Sequence, residues 1–262
     1  MPAELTRLDL RLRRRSTLGY TAGIAIYALV IVALYPSFEN DTSLNKFTSD
    51  SSTIAALFGA TGSITSPSGW LNANLYTNFV PLVMLLVTIG YGASCIAGQD
   101  EDGTLGMVAT LPVSRRSIAT QKIAAMALQA APVAVVTALC IVIGRWFDLT
   151  IGGESLIGVT TGVVLLGVAF GSLALLIATT TGTRGIALGV ASAFAASSYL
   201  ISSLAPVVSW LRPARYASLF FYAVGDGQLE HGLNVPDLAV LAIVTATLSA
   251  SAVLSFDRLD IR

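Results

Sequence analysis

The side chains able to do chemistry gather in one stretch of this chain, Gln99 to Lys122. It opens with three acids, Asp100, Glu101 and Asp102, and closes with Arg115, Arg116 and Lys122. Between them lie Gly103, Thr104 and a short apolar piece, Leu105, Met107, Val108 and Leu111, stopped by Pro112. With long apolar runs on both sides, the stretch reads as a polar elbow between two spans, and an ordinary solvated loop is the plainer alternative. Pro disfavours helix in the residue before it, so the next helix is expected to start after Ser114 as its N-cap.

Sets of residues for catalysis are missing. The lysines, Lys46 and Lys122, are followed by Phe47 and Ile123, and neither sits in a glycine-rich phosphate loop, which argues against a Walker-type ATPase. His231 is the single histidine and has no His or Cys nearby, so no metal-ligand set is expected. Neither a His-Glu-x-x-His nor a Gly-x-Ser-x-Gly pattern occurs. What remains inside the apolar runs is a scatter of hydroxyls. Thr88, Tyr91, Ser94, Ser198, Tyr199 and Ser202 are the candidates for lining a pathway, with Gln129, Thr160, Thr161, Ser192, Ser197 and Ser203 behind them. Many such groups serve only their own helix backbone.

The elements that must carry these residues follow from composition. The chain is 262 residues long, 54% hydrophobic and 11% charged. Soluble domains carry about 25% charged residues, and apolar runs of about 20 residues are the length that crosses a bilayer. The expected class is an all-α integral membrane protein, residues 1–262 forming a single transmembrane domain. Six spans are expected, at about 18–35, 76–98, 120–146, 156–179, 186–208 and 237–256. The zero net charge gives no general attraction to nucleic acid. Cys95 and Cys140 fall late in consecutive, oppositely directed spans, so they should lie near opposite faces and not pair.

Residues 3–15 read as an amphipathic helix in the headgroup plane, with Leu5, Leu8 and Leu12 on one face and Arg7, Arg11, Arg14 and Arg15 on the other. With both termini cytoplasmic, eleven Lys and Arg fall inside, and four (Lys46, Arg145, Arg212, Arg215) fall outside. That asymmetry satisfies the positive-inside rule and an even number of spans. Arg11, Arg14, Arg15, Arg115 and Arg116 are the expected anchors at the inner headgroups. Outside, residues 36–75 are polar and turn-rich, while 209–236 crowd Trp210, Tyr216, Phe220, Phe221 and Tyr222 together. The latter suits an aromatic belt or a short re-entrant helix pair. Gly158 with Gly162 and Gly167 with Gly171 fall on opposite sides of the fourth span, as in a helix held between two neighbours; Gly185 with Gly189 repeats the spacing in the fifth.

The elbow, Gln99-Asp-Glu-Asp-Gly-Thr-Leu followed by Leu111-Pro-Val-Ser-Arg-Arg, resembles the first cytoplasmic loop of six-helix bacterial ATP-binding-cassette (ABC) exporter permeases. Ser66-Pro-Ser-Gly-Trp-Leu before the second span and Phe256-Asp-Arg-Leu-Asp-Ile at the end are similar to that family as well, with Asp257 and Leu259 departing from its commonest ending. The resemblance implies an outward-moving permease that pairs with a second copy or a related permease and with two separate ATPase subunits in the bacterial cytoplasmic membrane. ATP and Mg would sit on the ATPase, and this chain would hold no cofactor. Asp100, Glu101, Asp102, Gly103, Thr104, Leu105, Val108 and Leu111 would form the coupling elbow on the ATPase. A secondary transporter is disfavoured by the lack of charge at mid-membrane depth, and a non-transporting anchor only by the elbow. Scattered hydroxyls on an apolar pathway suggest a hydrophobic or amphipathic cargo: a drug, a peptide or a lipid-like molecule.

Overall fold

Long apolar runs leave the backbone one way to satisfy its polar groups without water, and every regular element among the described residues is helical. The computed structural model describes residues 4–39, 65–103, 114–225, 227–232 and 234–257. Helix α1 is Glu4–Phe38. Helix α2, Pro67–Glu101, is interrupted by π-helical turns at Asn72–Tyr76 and Ser94–Gly98. Helix α3, Arg115–Ile143, continues into a 3-10 turn, Gly144–Phe147. Then come α4, Gly153–Thr181, and α5, Arg184–Leu204. A 3-10 segment, Ser209–Ala217, leads to the short helices α6, Leu219–Val224, and α7, Gln228–His231, before α8, Val235–Asp257. Helices α1 to α5 and α8 are long and apolar enough to cross a membrane.

Local chemistry sets the helix starts. Ser114 accepts a hydrogen bond from the Ser117 amide at 3.3 Å and caps α3, as its position before Arg115 predicts. Ser66 caps α2 by accepting from the Gly69 amide at 3.1 Å, with Pro67 in the first turn, where its missing N–H costs nothing. The second span therefore begins at Pro67 and not near residue 76. Trp70 in that first turn donates to the Ile31 carbonyl at 3.0 Å and stacks on Phe38, fastening α2 to α1. The fifth span ends at Leu204, four residues short of its expected boundary.

Helix α4 is the centre of the bundle, packing against α2, α3, α5, α6 and α8. Its glycines make this possible. A Cβ on Gly162 would lie 2.5 Å from the Ala223 carbonyl oxygen of α6, and one on Gly167 would lie 2.5 Å from Met84 of α2. The two faces of α4 thus meet different neighbours, as the glycine spacing predicts. The closest approach is where α2 crosses α4, where a Cβ on Gly92 would overlap the Gly171 carbonyl oxygen. Gly185 and Gly189 of α5 meet nothing within 4 Å. Hydroxyl pairs lace α4 to α8: Ser172 to Ser249 at 2.9 Å and Thr179 to Ser255 at 3.0 Å.

Helices α1 and α3 run side by side in the same direction. The Leu5 amide donates to Gln121 Oε1 at 3.2 Å near their starts, and Cys140 Sγ reaches the Ala25 carbonyl at 3.8 Å farther along. Asp257, at the end of α8, pairs with Arg116 at 2.9 Å. The start of α1 and the end of α8 therefore share one end of the bundle with the elbow, as an even number of spans requires. This is called the elbow end below, and the opposite one the far end. Cys95 and Cys140 are both free and buried, separated along the bundle as expected.

The amphipathic segment at 3–15 differs from its expected form in two ways. It is helical from Glu4 but runs into the span without a break. Its packed face is also not the leucine face. Leu5, Thr6 and Asp9 are buried, whereas Leu8 and Leu12 are exposed. The cause lies across the groove, where α3 offers Gln121 and Lys122 as polar partners that leucines could not satisfy.

Candidate coupling end and cleft

The elbow acids sit on the last turn of α2. Beyond the π-helical turn Ser94–Gly98, Gln99–Glu101 returns to α-helix, and Gly103, at φ +68°, takes the left-handed conformation that closes it. Asp100, Glu101 and Asp102 are all exposed at the elbow end. Asp100 and Asp102 present charge to the surroundings. Glu101 also turns toward the bundle, and its Oε1 accepts from the Arg184 amide of α5 at 2.8 Å. Thr104, Leu105, Val108 and Leu111, the remainder of the expected coupling segment, lie outside the described residues.

Just above the acids is a buried polar cluster that sequence reasoning missed. Lys122 Nζ of α3 lies 2.9 Å from Asp9 Oδ2 and 3.0 Å from Oδ1, with the two side chains 2% and 8% exposed. Tyr91 of α2 donates its hydroxyl to Asp9 Oδ2 at 2.5 Å. Arg13, one turn beyond Asp9, donates to Ser94 Oγ at 2.6 Å and lies 5.0 Å from the centre of the Tyr91 ring. In the amide orientation that satisfies both its groups, Gln99 donates to the Cys95 carbonyl at 3.0 Å and accepts from Lys122 Nζ at 3.2 Å. Thr6 completes the set by donating to the Gln121 carbonyl at 3.1 Å.

Physically this is one carboxylate held between a lysine and a phenol, with Arg13 against the phenol ring, in apolar surroundings that include Ile96, Ile118 and Met126. A buried charge is tolerated only when paired and hydrogen-bonded, and Asp9 meets both conditions. The cluster joins α1, α2 and α3 at the elbow end. The signal in the sequence was Lys122 itself. It stands seven residues past the start of α3 and is buried, where a lysine needs an acid, and Asp9 is the acid in the amphipathic segment that shares a face with Leu5 and Arg13.

The expected anchoring arginines divide. Arg11, Arg14 and Arg15 are exposed, on the side of α1 away from α3. Arg116 is exposed and paired with Asp257, and Arg115 is half-buried beside it. Arg13, which was not in that set, belongs to the cluster.

The candidate pathway residues divide as well. An apolar cleft of about 360 Å³ opens between α2 and α5, walled by Leu82, Leu85 and Ile89 on one side and Ser192, Ala195 and Ala196 on the other. Tyr199 and Phe220 close it toward the far end, where the Tyr199 hydroxyl donates to Asn78 Oδ1. Of the six candidates, Tyr199 lines this cleft. Ser198 is buried and bonded to Ser218 at 3.0 Å, fixing α6 to α5, and Ser202 is half-buried one turn on. Thr88 is fully buried at the α2–α4 crossing, donating to the Met84 carbonyl at 2.9 Å. Tyr91 and Ser94 belong to the buried cluster. These three are therefore packing and network residues within the single chain. Ser192, one of the secondary hydroxyls, also lines the cleft.

Part of the aromatic segment, Leu219–Val224, packs into the bundle. Phe220 and Phe221 are buried, with Phe220 packed on Phe170 and edge-on to Tyr199, while Trp210 and Tyr216 remain exposed.

A family model described as an ABC-2 family transporter protein matches residues 4–261, nearly the whole chain. The chain belongs to the ABC-2 transporter family. No curated protein matches it. Membership and six apolar helices make this ABC-2 protein a multi-pass membrane protein, the permease type of subunit that works with an ABC ATPase. The elbow resemblance and the family match therefore agree.

Proposed function

We propose that the chain is the permease subunit of an ATP-driven exporter in a bacterial cytoplasmic membrane, docking its elbow on separate ATPase subunits that bind ATP and Mg. Two ATPases and two permeases, this chain with itself or with a related chain, complete the complex. The observation that carries the reading is that one helix, α2, bears both the exposed acids Asp100 and Asp102 and one wall of the apolar cleft. A push on the acids is thereby a push on the cleft. The cleft's apolar walls with hydroxyls at Ser192 and Tyr199 suit a hydrophobic or amphipathic cargo, whose polar part would meet those two groups.

The test is co-purification with the ATPase from the native membrane, using the unaltered chain and Asp100→Arg plus Asp102→Arg. Loss of the ATPase from the double variant, with the permease still folded, supports docking at the elbow. A native chain that carries no ATPase overturns the permease reading.

A further inference from the structure

The first turn of α5 has no cap of its own. Thr183, in the N-cap position, makes no side-chain hydrogen bond to the helix, and the turn before it is set by Gly182 at φ +67°. The open amide of Arg184 is taken instead by Glu101, 83 residues away on the elbow turn of α2. A carboxylate at a helix N-terminus satisfies an otherwise orphan donor and lies favourably in the helix dipole. The Arg184 side chain lies against the same turn, its Cδ 3.7 Å from where a Cβ on Gly98 would be.

This contact matters because most of α5's surface faces away from the bundle. Only 17% of its apolar window is buried, against 72% for α2. Its packed face is a narrow line of Ala187, Ala191, Ala195 and Ser198. Polar contacts join it to α2 at both ends: Glu101 with the Arg184 amide at the elbow end, and Asn78 with Tyr199 at the far end. The cleft lies between these two clasps. On the α2 side, the elbow turn follows the π-helical turn Ser94–Gly98, a departure from regular helix of the kind often found at functional sites.

Resting on the permease reading above, we infer that Glu101 is a positioning residue that makes α5 follow the elbow, so that ATPase-driven movement of the elbow changes the cleft. Glu101 thus acts inward, on the permease's own fifth span, while Asp100 and Asp102 face the ATPase.

The experiment uses the complex of this chain with its ATPase in lipid nanodiscs, with Ala196→Cys on the cleft wall carrying a bimane fluorophore. The chain without that substitution is the labelling control, since Cys95 and Cys140 are buried. Emission is compared without nucleotide and with ATP plus orthovanadate. The native elbow gives a nucleotide-dependent shift. In complexes matched for bound ATPase, Glu101→Ala shrinks the shift about fivefold or more, the low end of ordinary coupling between sites. Glu101→Gln, whose amide oxygen still accepts a hydrogen bond, retains it. The inference is overturned if Glu101→Ala keeps the full shift, if the native elbow gives none, or if Glu101→Ala loses the ATPase, which would make Glu101 a docking residue. A native chain purified without any ATPase overturns the permease reading, and this inference with it.

Discussion

Asp9 and Lys122 show how much one residue's environment decides. Each alone is a charge in an apolar setting; together, with Tyr91, they form a closed set of hydrogen bonds. Lys122→Met leaves Asp9 short of its main counter-ion and is expected to cost about 3–5 kcal/mol, the usual penalty for stranding a buried charge. Adding Asp9→Leu should recover most of that, because an apolar pair of similar volume replaces an ion pair at little net cost. Thermal unfolding of the two variants in one detergent checks the prediction, and equal losses from both would refute it. Gly92 offers a steric counterpart. A Cβ there overlaps the Gly171 carbonyl, so Gly92→Ala should lower stability by about 1–3 kcal/mol through overpacking. Gly90→Ala, two residues away with nothing within 4 Å, should be close to neutral in the same melt.

At the scale of elements, the spans were legible and their irregularities were not. A run of about 20 apolar residues has essentially one fold in a bilayer, so composition alone placed all six. The Ser114 cap was legible because its neighbours, Pro112 and the run from Arg115, mark a helix start. The π-helical turns of α2 use residues that would serve equally well in an α-helix, and the packing that selects them comes from other spans. The same holds for the aromatic segment. Its composition fitted both a belt and an inserted pair, and the segment divides: Phe220 is buried against Phe170 and Tyr199, while Trp210 and Tyr216 stay exposed. Phe220→Ala removes the ring that closes the cleft at its far end and should cost about 3–5 kcal/mol, read as a lowered melting temperature. An unchanged melting temperature would mean that α6 is not fastened by this ring.

For the whole molecule, the candidate site was half legible. The elbow acids were found by their clustering, but the cluster above them depends on pairing residues from α1, α2 and α3, which no local pattern reveals. Orientation in the membrane rests on the arginine asymmetry and is open to direct test. With membrane-impermeant maleimide on intact cells, Arg145→Cys at the far end should label and Asp102→Cys at the elbow end should not. The reverse pattern would invert the topology. The Asp9–Lys122 pair also bears on how the chain is made. The two residues are 113 positions apart, so at ordinary synthesis rates of about 5–20 residues per second Lys122 follows Asp9 by about 6–23 s. During that interval Asp9 lacks Lys122, and α1 gains by holding its first turns at the water-facing surface. Settlement of α1 to its final depth therefore waits on the arrival of α3, which makes the third span, not the first, the step that completes the amino-terminal half during insertion.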